Sequence, residues 1–327
     1  MMPEALRVAV LIPCYNEGKT IAAVAADFRR FLPGAAIFVY DNNSSDETRD
    51  AARGAGARVF TESHQGKGSV VRRMFADIEA DIYVMVDGDG TYDAASAPRL
   101  VRELLQGPYD LVNAARRATG SGAFRPGHRF GNRLLTRLVQ RIFGARSSDM
   151  LSGYKAFSRR FAKSFPSMSQ GFEIETEILI HALEMRLPMS EIVAPYGERP
   201  EDSASKLHTV RDGFRILRLI GFLVKQERPY AFFTGLALFL AWLSLYVGVP
   251  VVVEFLHTGL VPKLPSAVLA TAFMLSAVIA FFSGLVLDTI THSRREMKRL
   301  AYLRYPPASA GAELVAVEPV RSRGSAA

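Results

Sequence analysis

From Pro229 to Thr291 the chain carries only three charged side chains, Glu254, Lys263 and Asp288. A stretch so poor in charge belongs to hydrocarbon, and this restricts the fold more than any other feature. Two runs inside it, Tyr230 to Val253 and Pro265 to Leu287, have no charge at all. As helices each would reach about 35 Å, against roughly 30 Å of bilayer core. Buried helices of soluble proteins are seldom so long or so charge-free. Only EFLHTGLVPKL separates the runs, so the expected structure is a hairpin whose outer ends emerge on one face. Lys225 and Arg228 precede it, and Arg294, Arg295, Lys298, Arg299 and Arg304 follow, a distribution that assigns both flanks to the cytoplasm. The expected location is the inner (plasma) membrane, multi-pass, with both termini cytoplasmic. Just upstream, Val210, Phe214, Leu217, Ile220 and Val224 recur at helical spacing opposite Arg211, Arg215, Arg218 and Lys225. This predicts an amphipathic helix, lying in the interface or packed on the main domain.

Upstream of that point the composition is that of a folded domain. Of 327 residues 49% are hydrophobic, which excludes a disordered chain. Lys and Arg number 40 against 32 Asp and Glu, a net charge of +8 that suits nucleic acid, an anionic membrane or a phosphate-bearing substrate. The single cysteine, Cys14, excludes an internal disulfide framework and a cysteine-based zinc cage. In MMPEALRVAVLIPCYNE the apolar stretch is too short for a signal peptide.

Residues 6 to 205 alternate between short β-rich runs and helical segments. RVAVLIP, AIFVYD, ARVFTE and DIYVMVDGD read as strands, with GKTIAAVAADFRRFL and SSDETRDAARGAG as intervening helices, the second opened by a capping box of Ser44 and Glu47. The alternation predicts an α/β fold with a mostly parallel sheet covered on both faces, and ligands of such sheets bind at the carboxyl ends of the strands. Three of those ends are polar: Pro13 to Glu17, Asp41 to Asn43, and Asp87 to Gly90. No GxGxxG follows the first strand, and Gln65-Gly66-Lys67-Gly68 lacks the spacing of a P-loop. Dinucleotide and NTPase readings thereby lose their main support. Asp87 and Asp89 offer two hard oxygen donors, which suit Mg²⁺ or Mn²⁺ completed by diphosphate oxygens and water.

In this order and spacing PCYNE, DNNSSDET, HQGKG, VDGDGTY and SGYKAF resemble the family-2 inverting glycosyltransferases of GT-A fold, over about residues 7 to 208. GFEIETEILIHAL, ERPEDSASKL and the membrane hairpin extend the resemblance to the polyprenyl-phosphate hexose synthases, the dolichol-phosphate mannose synthase and bactoprenol glucosyltransferase group. The resemblance implies a cytoplasmic GT-A domain at 1–208; the patterns beyond it place an amphipathic juxtamembrane helix at 209–228, two transmembrane helices within 229–291 (about 230–253 and 265–287), and a basic flank with a disordered tail at 292–327. It implies that Pro13, Tyr15 and Glu17 flank the nucleotide, that Asp41 bonds the base or ribose, and that Asp87 sits against ribose and diphosphate. Asp89 would be the principal metal ligand, assisted by Asp87. Asp41 could instead cap the helix near Ser44, and Lys67 could approach a phosphate or stand in solvent. Cys14 reads as a small buried residue and His64 as a turn residue.

A polyprenyl phosphate is already an anionic nucleophile, so positioning and charge neutralisation carry the catalysis. Arg116, Arg117, Arg125, Arg129 and Arg133 form a cationic series suited to phosphate; the resemblance singles out Arg116 and Arg129, with Arg133 and Lys206 as further acceptor-phosphate candidates. Asp149 corresponds to an acidic residue near the acceptor, or caps a turn containing Ser152. Of Glu173, Glu175 and Glu177, expected on a helix, one lies near the site. The implied reaction moves a hexose from a nucleotide sugar, UDP-glucose first and GDP-mannose second, to undecaprenyl or a similar polyprenyl phosphate. Nucleic acid is not an expected partner. A homo-oligomer is compatible with this reading, and a flippase and a lumenal or periplasmic glycosyltransferase would act afterwards. The competing readings are a polysaccharide-elongating family-2 enzyme, which would carry more spans and a QxxRW-type motif, and an inactive membrane scaffold.

Overall fold

The structure, a computed structural model, describes residues 6–118, 148–169, 171, 173–197, 225 and 228–308. Arg125, Arg129, Arg133, Lys206 and nearly all of the expected amphipathic helix lie outside the described residues. By contacts the chain divides into two units, Met1–Gly213 with Lys298–Ala327, and Phe214–Met297.

The first unit is built on β1 (Val8–Cys14), β2 (Ala36–Asp41), β3 (Arg58–Thr61), β4 (Ile82–Met85), β5 (Leu111–Ala118), β6 (Lys155–Ser158) and β7 (Met189–Tyr196). Among the described residues these form one sheet in the order β3-β2-β1-β4-β6-β5-β7. All pairings are parallel except the two made by β6. The connecting helices are α1 (Ile21–Phe31), α2 (Thr48–Gly54), α3 (Lys67–Asp77), α4 (Ala97–Gln106), α5 (Arg159–Ser164) and α6 (Ile174–Glu184).

β1 is buried along its whole length, as expected of a strand covered on both faces. Val8, Val10 and Ile12 meet Val24 and Phe28 of α1 and Leu100 and Leu104 of α4 in one core layer. On the opposite face Phe75 of α3 packs edge-on against Tyr83 and Phe157. The expected α/β architecture is therefore present, with β6 reversed. One local expectation fails: no Ser44–Glu47 capping box forms, because the Ser44 hydroxyl accepts the Asn16 amide at 2.9 Å and α2 starts only at Thr48. The hydroxyl ties the loop after β1 to the loop after β2 instead.

The second unit contains α7 (Pro229–Thr258) and most of α8 (Leu264–Leu303), each long and apolar enough to cross a membrane. Most of its buried positions recur every seventh residue, Ala237, Ser244 and Val251 on α7, and Ala270, Ala277, Gly284 and Thr291 on α8, with Pro229 and Ala280 outside the series. That period is the signature of two helices packed along a supercoiled seam, and small residues on it allow close approach. Ser244 donates its hydroxyl across the seam to the Ala270 carbonyl at 2.7 Å. α8 passes the expected boundary at Leu287 without a break, and from Lys298 it belongs to the first unit. The expected basic flank is thus helix here, because a backbone leaving hydrocarbon keeps its hydrogen bonds where side chains still pack.

Candidate active site

Register alone brings the polar strand ends together. Cys14 at the end of β1 is paired with Asp41 at the end of β2, and Met85 at the end of β4 is paired with Lys155 at the start of β6. The first pairing sets PCYNE beside DNN, and the second sets DGDG beside SGYK. Closer contacts seal the cluster. Thr20 donates its hydroxyl to the Gly88 carbonyl at 2.6 Å, joining the start of α1 to the turn after β4. A Cβ on Gly153 would come within 2.2 Å of an Asp87 carboxylate oxygen, so only glycine lets that carboxylate rest on the backbone. Gly66, at φ 129°, precedes α3 in a conformation that favours glycine, and its amide donates to Asn42 Oδ1 at 2.7 Å. Asn42 also donates to the carbonyls of Glu62 and His64, so DNN and HQGKG form one wall.

Asp41 is fully buried. Its Oδ2 accepts the Ser44 amide at 3.2 Å, while its Oδ1 is buried with no hydrogen-bond partner among the described residues. One oxygen therefore closes the turn and the other is a buried acceptor. Lys67 is no solvated loop residue. It is nearly buried, and its ammonium contacts Asp87 and, at 2.6 Å, Glu175. Burial alone would lower the Lys67 pKa, but the two carboxylates outweigh it and hold it raised. Glu175 is pushed up by burial, which Lys67 only partly offsets. Asp89, also buried, accepts the Thr91 hydroxyl at 2.6 Å and amide at 3.1 Å.

A second cluster adjoins the first. Arg116 on β5 donates Nε and Nη2 to the two Asp149 oxygens at 2.7 and 2.8 Å, and its guanidinium lies over the Tyr196 ring. Burial would raise the Asp149 pKa, but the Arg116 fork holds it below the ordinary carboxylate range. Below it Lys155, fully buried, donates to Asn113 Oδ1 at 2.8 Å and to the Ser152 carbonyl, and burial lowers its pKa to about 8. Asn113 passes the connection on, donating to the Asp149 carbonyl and to Glu191.

Pro13 lies within β1, and Tyr15 and Glu17 in the turn after it, with Glu17 close against Gly88. Cys14 is buried, and His64 is exposed beside Glu62. Among the described residues no three His, Cys, Asp or Glu side chains gather in a metal-binding group. The donor set at the strand end, two carboxylates from Asp87 and Asp89, still fits a hard divalent ion that takes its remaining ligands from phosphate and water. Sequence alone offers Glu175 only as one of three glutamates, holds Asn42 and Tyr92 within motifs without a role of their own, and does not mark Asn113; Tyr92 accepts the Gly153 amide at 2.7 Å. The helical reading of FEIETEI held the relevant signal, since α6 sends Glu175 to Lys67 and Glu177 to the amides of Met168 and Ser169.

Residues 9–165 match the family described as glycosyl transferase family 2. The glycosyltransferase AglJ of Haloferax volcanii is 35% identical over 314 residues, 92% of this chain and 100% of that one. A dolichyl-phosphate hexose transferase of the same organism is 29% identical over 220 residues, 67% of this chain and 95% of its own. Among solved structures, glucosyl-3-phosphoglycerate synthase of Mycobacterium tuberculosis, in complex with Mn²⁺, UDP-glucose and glycerol 3-phosphate, superimposes with a TM-score of 0.55 at 25% identity. That likeness covers 68% of this chain and 80% of the synthase.

Proposed function

Because the chain belongs to glycosyl transferase family 2, we propose that it transfers a hexose, with inversion, from a nucleotide sugar to a polyprenyl phosphate at the cytoplasmic membrane face. The observation that carries this reading is the convergence of neighbouring strand ends, with Asp41 at the end of β2 and Asp87 and Asp89 after β4, where Lys67 joins Asp87 to Glu175. The buried Asp41 Oδ1, without a hydrogen-bond partner among the described residues, suits a base or ribose donor. The Mn²⁺ and UDP-glucose bound by the structural neighbour support a metal-assisted donor site, with UDP-glucose as first donor and GDP-mannose as the alternative. The lipid acceptor is supported by the dolichyl-phosphate hexose transferase and by the two apolar helices.

Asp89 and Asp87 would hold Mg²⁺ or Mn²⁺, which supplies charge neutralisation for the departing nucleoside diphosphate. Lys67 relieves the mutual repulsion of Asp87 and Glu175 and keeps both carboxylates at the strand end. The acceptor phosphate is anionic and needs no proton removed, so Asp149 serves by orienting Arg116 and not as a base. Its depressed pKa agrees with that role. Arg116, with Arg129, Arg133 and Lys206, supplies the cations that offset repulsion between acceptor and donor phosphates.

Purified full-length protein incubated with polyprenyl phosphate and a panel of nucleotide sugars, with and without EDTA, tests the proposal. One nucleotide sugar should yield an EDTA-sensitive lipid-linked hexose. Hydrolysis without lipid product would sink the acceptor assignment, and turnover insensitive to EDTA would remove the metal from the reading.

A further inference from the structure

The end of α8 turns a helical face to the α/β unit. Lys298 and Tyr302 share that face, four residues apart, and Tyr305 follows in the turn just beyond the helix end. Lys298 Nζ lies 2.7 Å from Glu184 Oε2 at the end of α6, a carboxylate only 3% exposed. Tyr302 donates its hydroxyl to Asp110 Oδ2 at 2.7 Å, and the Arg160 guanidinium stands 4.7 Å from its ring centroid. Arg159 stands over the Tyr305 ring in the same way, at 5.4 Å. Asp110, immediately before β5, is fully buried, and its other oxygen accepts from Ser158 and Arg160. Ala308, just beyond, packs against the core.

We propose that residues 298–308 form a clasp: the α/β unit carries a docking surface of Asp110, Arg159, Arg160 and Glu184, and its partner is this chain's own segment beyond the membrane hairpin. The chemistry of the surface selects that occupant. Two buried carboxylates receive an ammonium and a hydroxyl, and two neighbouring guanidiniums receive aromatic faces, in the order Lys, Tyr, Tyr that the last turns of α8 and the residues just after it supply. A basic flank serving only to attract anionic lipid would leave Lys298 in solvent, whereas it ends on a buried carboxylate.

Two consequences follow. The segment beyond the second apolar helix shares a compartment with the α/β unit, independently of any count of positive charges. That unit is also joined to the hairpin twice, once by the chain entering α7 and once by a helix continuous with α8. The docked end lies at the start of β5, the strand that carries Arg116 further along. The clasp does not depend on the proposed reaction, and each can fail without the other.

A charge-reversal cycle on the full-length protein in detergent tests the clasp. Lys298→Glu and Glu184→Lys, made singly, should each lower the thermal midpoint by about 3–5 °C. Each should also speed amide exchange at Leu111–Asn113 and at Arg159–Phe161 about tenfold. The double reversal should recover at least half of both effects. A double variant no better than the worse single, or singles without effect, would overturn the clasp. Should the reversals not fold, Tyr302→Phe decides, since it keeps the ring over Arg160 and removes only the hydroxyl: faster exchange at Leu111 and Val112 upholds the clasp, and unchanged exchange overturns it.

Discussion

At the scale of single residues, the site is organised by buried groups whose partners are few and specific. Asp89→Asn keeps an oxygen for the Thr91 hydroxyl and amide, so the turn should survive while the negative charge is lost. Transfer should fall about 100-fold or more, on the order of 3 kcal/mol in barrier, and calorimetric titration should show weakened Mn²⁺ binding. Intact Mn²⁺ affinity would move the metal to other ligands. Asp41→Ala removes the buried acceptor without touching the reacting centre. The donor KM should rise about tenfold with kcat little changed, and an unchanged KM would leave Asp41 a structural role in its turn-closing bond to Ser44 and its ion pair with Arg49. His181 tests burial without bonding. Both ring nitrogens are buried and have no hydrogen-bond partner among the described residues, and burial, assisted by Lys298, lowers the pKa from 6.5 to about 3. Between those values the unfolded chain binds a proton that the folded chain refuses, so stability rises with pH through the window and is lost on acidification. The loss at pH 5 is about 2 kcal/mol. His181→Leu should abolish it, so the gap in thermal midpoint between variant and parent should widen as pH falls from 6.5 to 5. A constant gap would mean that the imidazole is hydrogen-bonded when folded.

At the scale of elements, what could be read from sequence is what local pattern determines. Continuous apolar runs marked β1 and β2, and absence of charge marked α7 and α8, because burial on both faces and immersion in lipid each act on every residue of a segment. The reversal of β6 and the delayed start of α2 were not legible, since a partner distant in sequence decides each. Ser44, by composition a capping residue, answers to Asn16 in another loop. The seven-residue period of Ala270, Ala277, Gly284 and Thr291 was present in the sequence but hidden among residues equally apolar, and only the pairing with α7 distinguishes seam from lipid face. Glycine at 284 is the tightest point: a Cβ there would lie 2.9 Å from the Phe233 Cβ, whereas one on Gly235 would meet nothing within 4 Å. Gly284→Val should therefore cost about 1–3 kcal/mol of hairpin packing, read as a lower thermal midpoint in detergent. Gly235→Ala should be neutral or slightly stabilising. Equal effects at both positions would show that the seam does not pack as described.

At the scale of the whole molecule, the strand-end motifs were legible because β1, β2 and β4 lie side by side and bring their ends together without help from distant chain. Lys298, Tyr302 and Tyr305 were not, because in sequence they belong to a basic run that reads as a topology signal, while Asp110 lies 192 residues from Tyr302. The same arrangement separates two roles of the C-terminal third, since removing everything beyond Gly213 deletes both the hairpin and the clasp. A chain in which a long Gly/Ser linker joins Gly213 directly to Lys298 deletes the hairpin and the segment 214–228 before it but keeps the clasp. The linked chain should keep nucleotide affinity within about twofold of the full-length protein, because the clasp can still close at the effective concentration that a linker provides. The chain ending at Gly213 should melt several degrees lower and bind nucleotide less well. Both should lose transfer to a long-chain polyprenyl phosphate in vesicles by about 100-fold, since acceptor and site no longer share a membrane. Only the linked chain should retain transfer to a short, water-soluble prenyl phosphate, within about threefold of the full-length protein. If it lost both acceptors equally, the hairpin or the segment 214–228 before it would contribute to the site itself. If the two shortened chains proved equally stable, the segment beyond the hairpin would add nothing to the fold of the α/β unit.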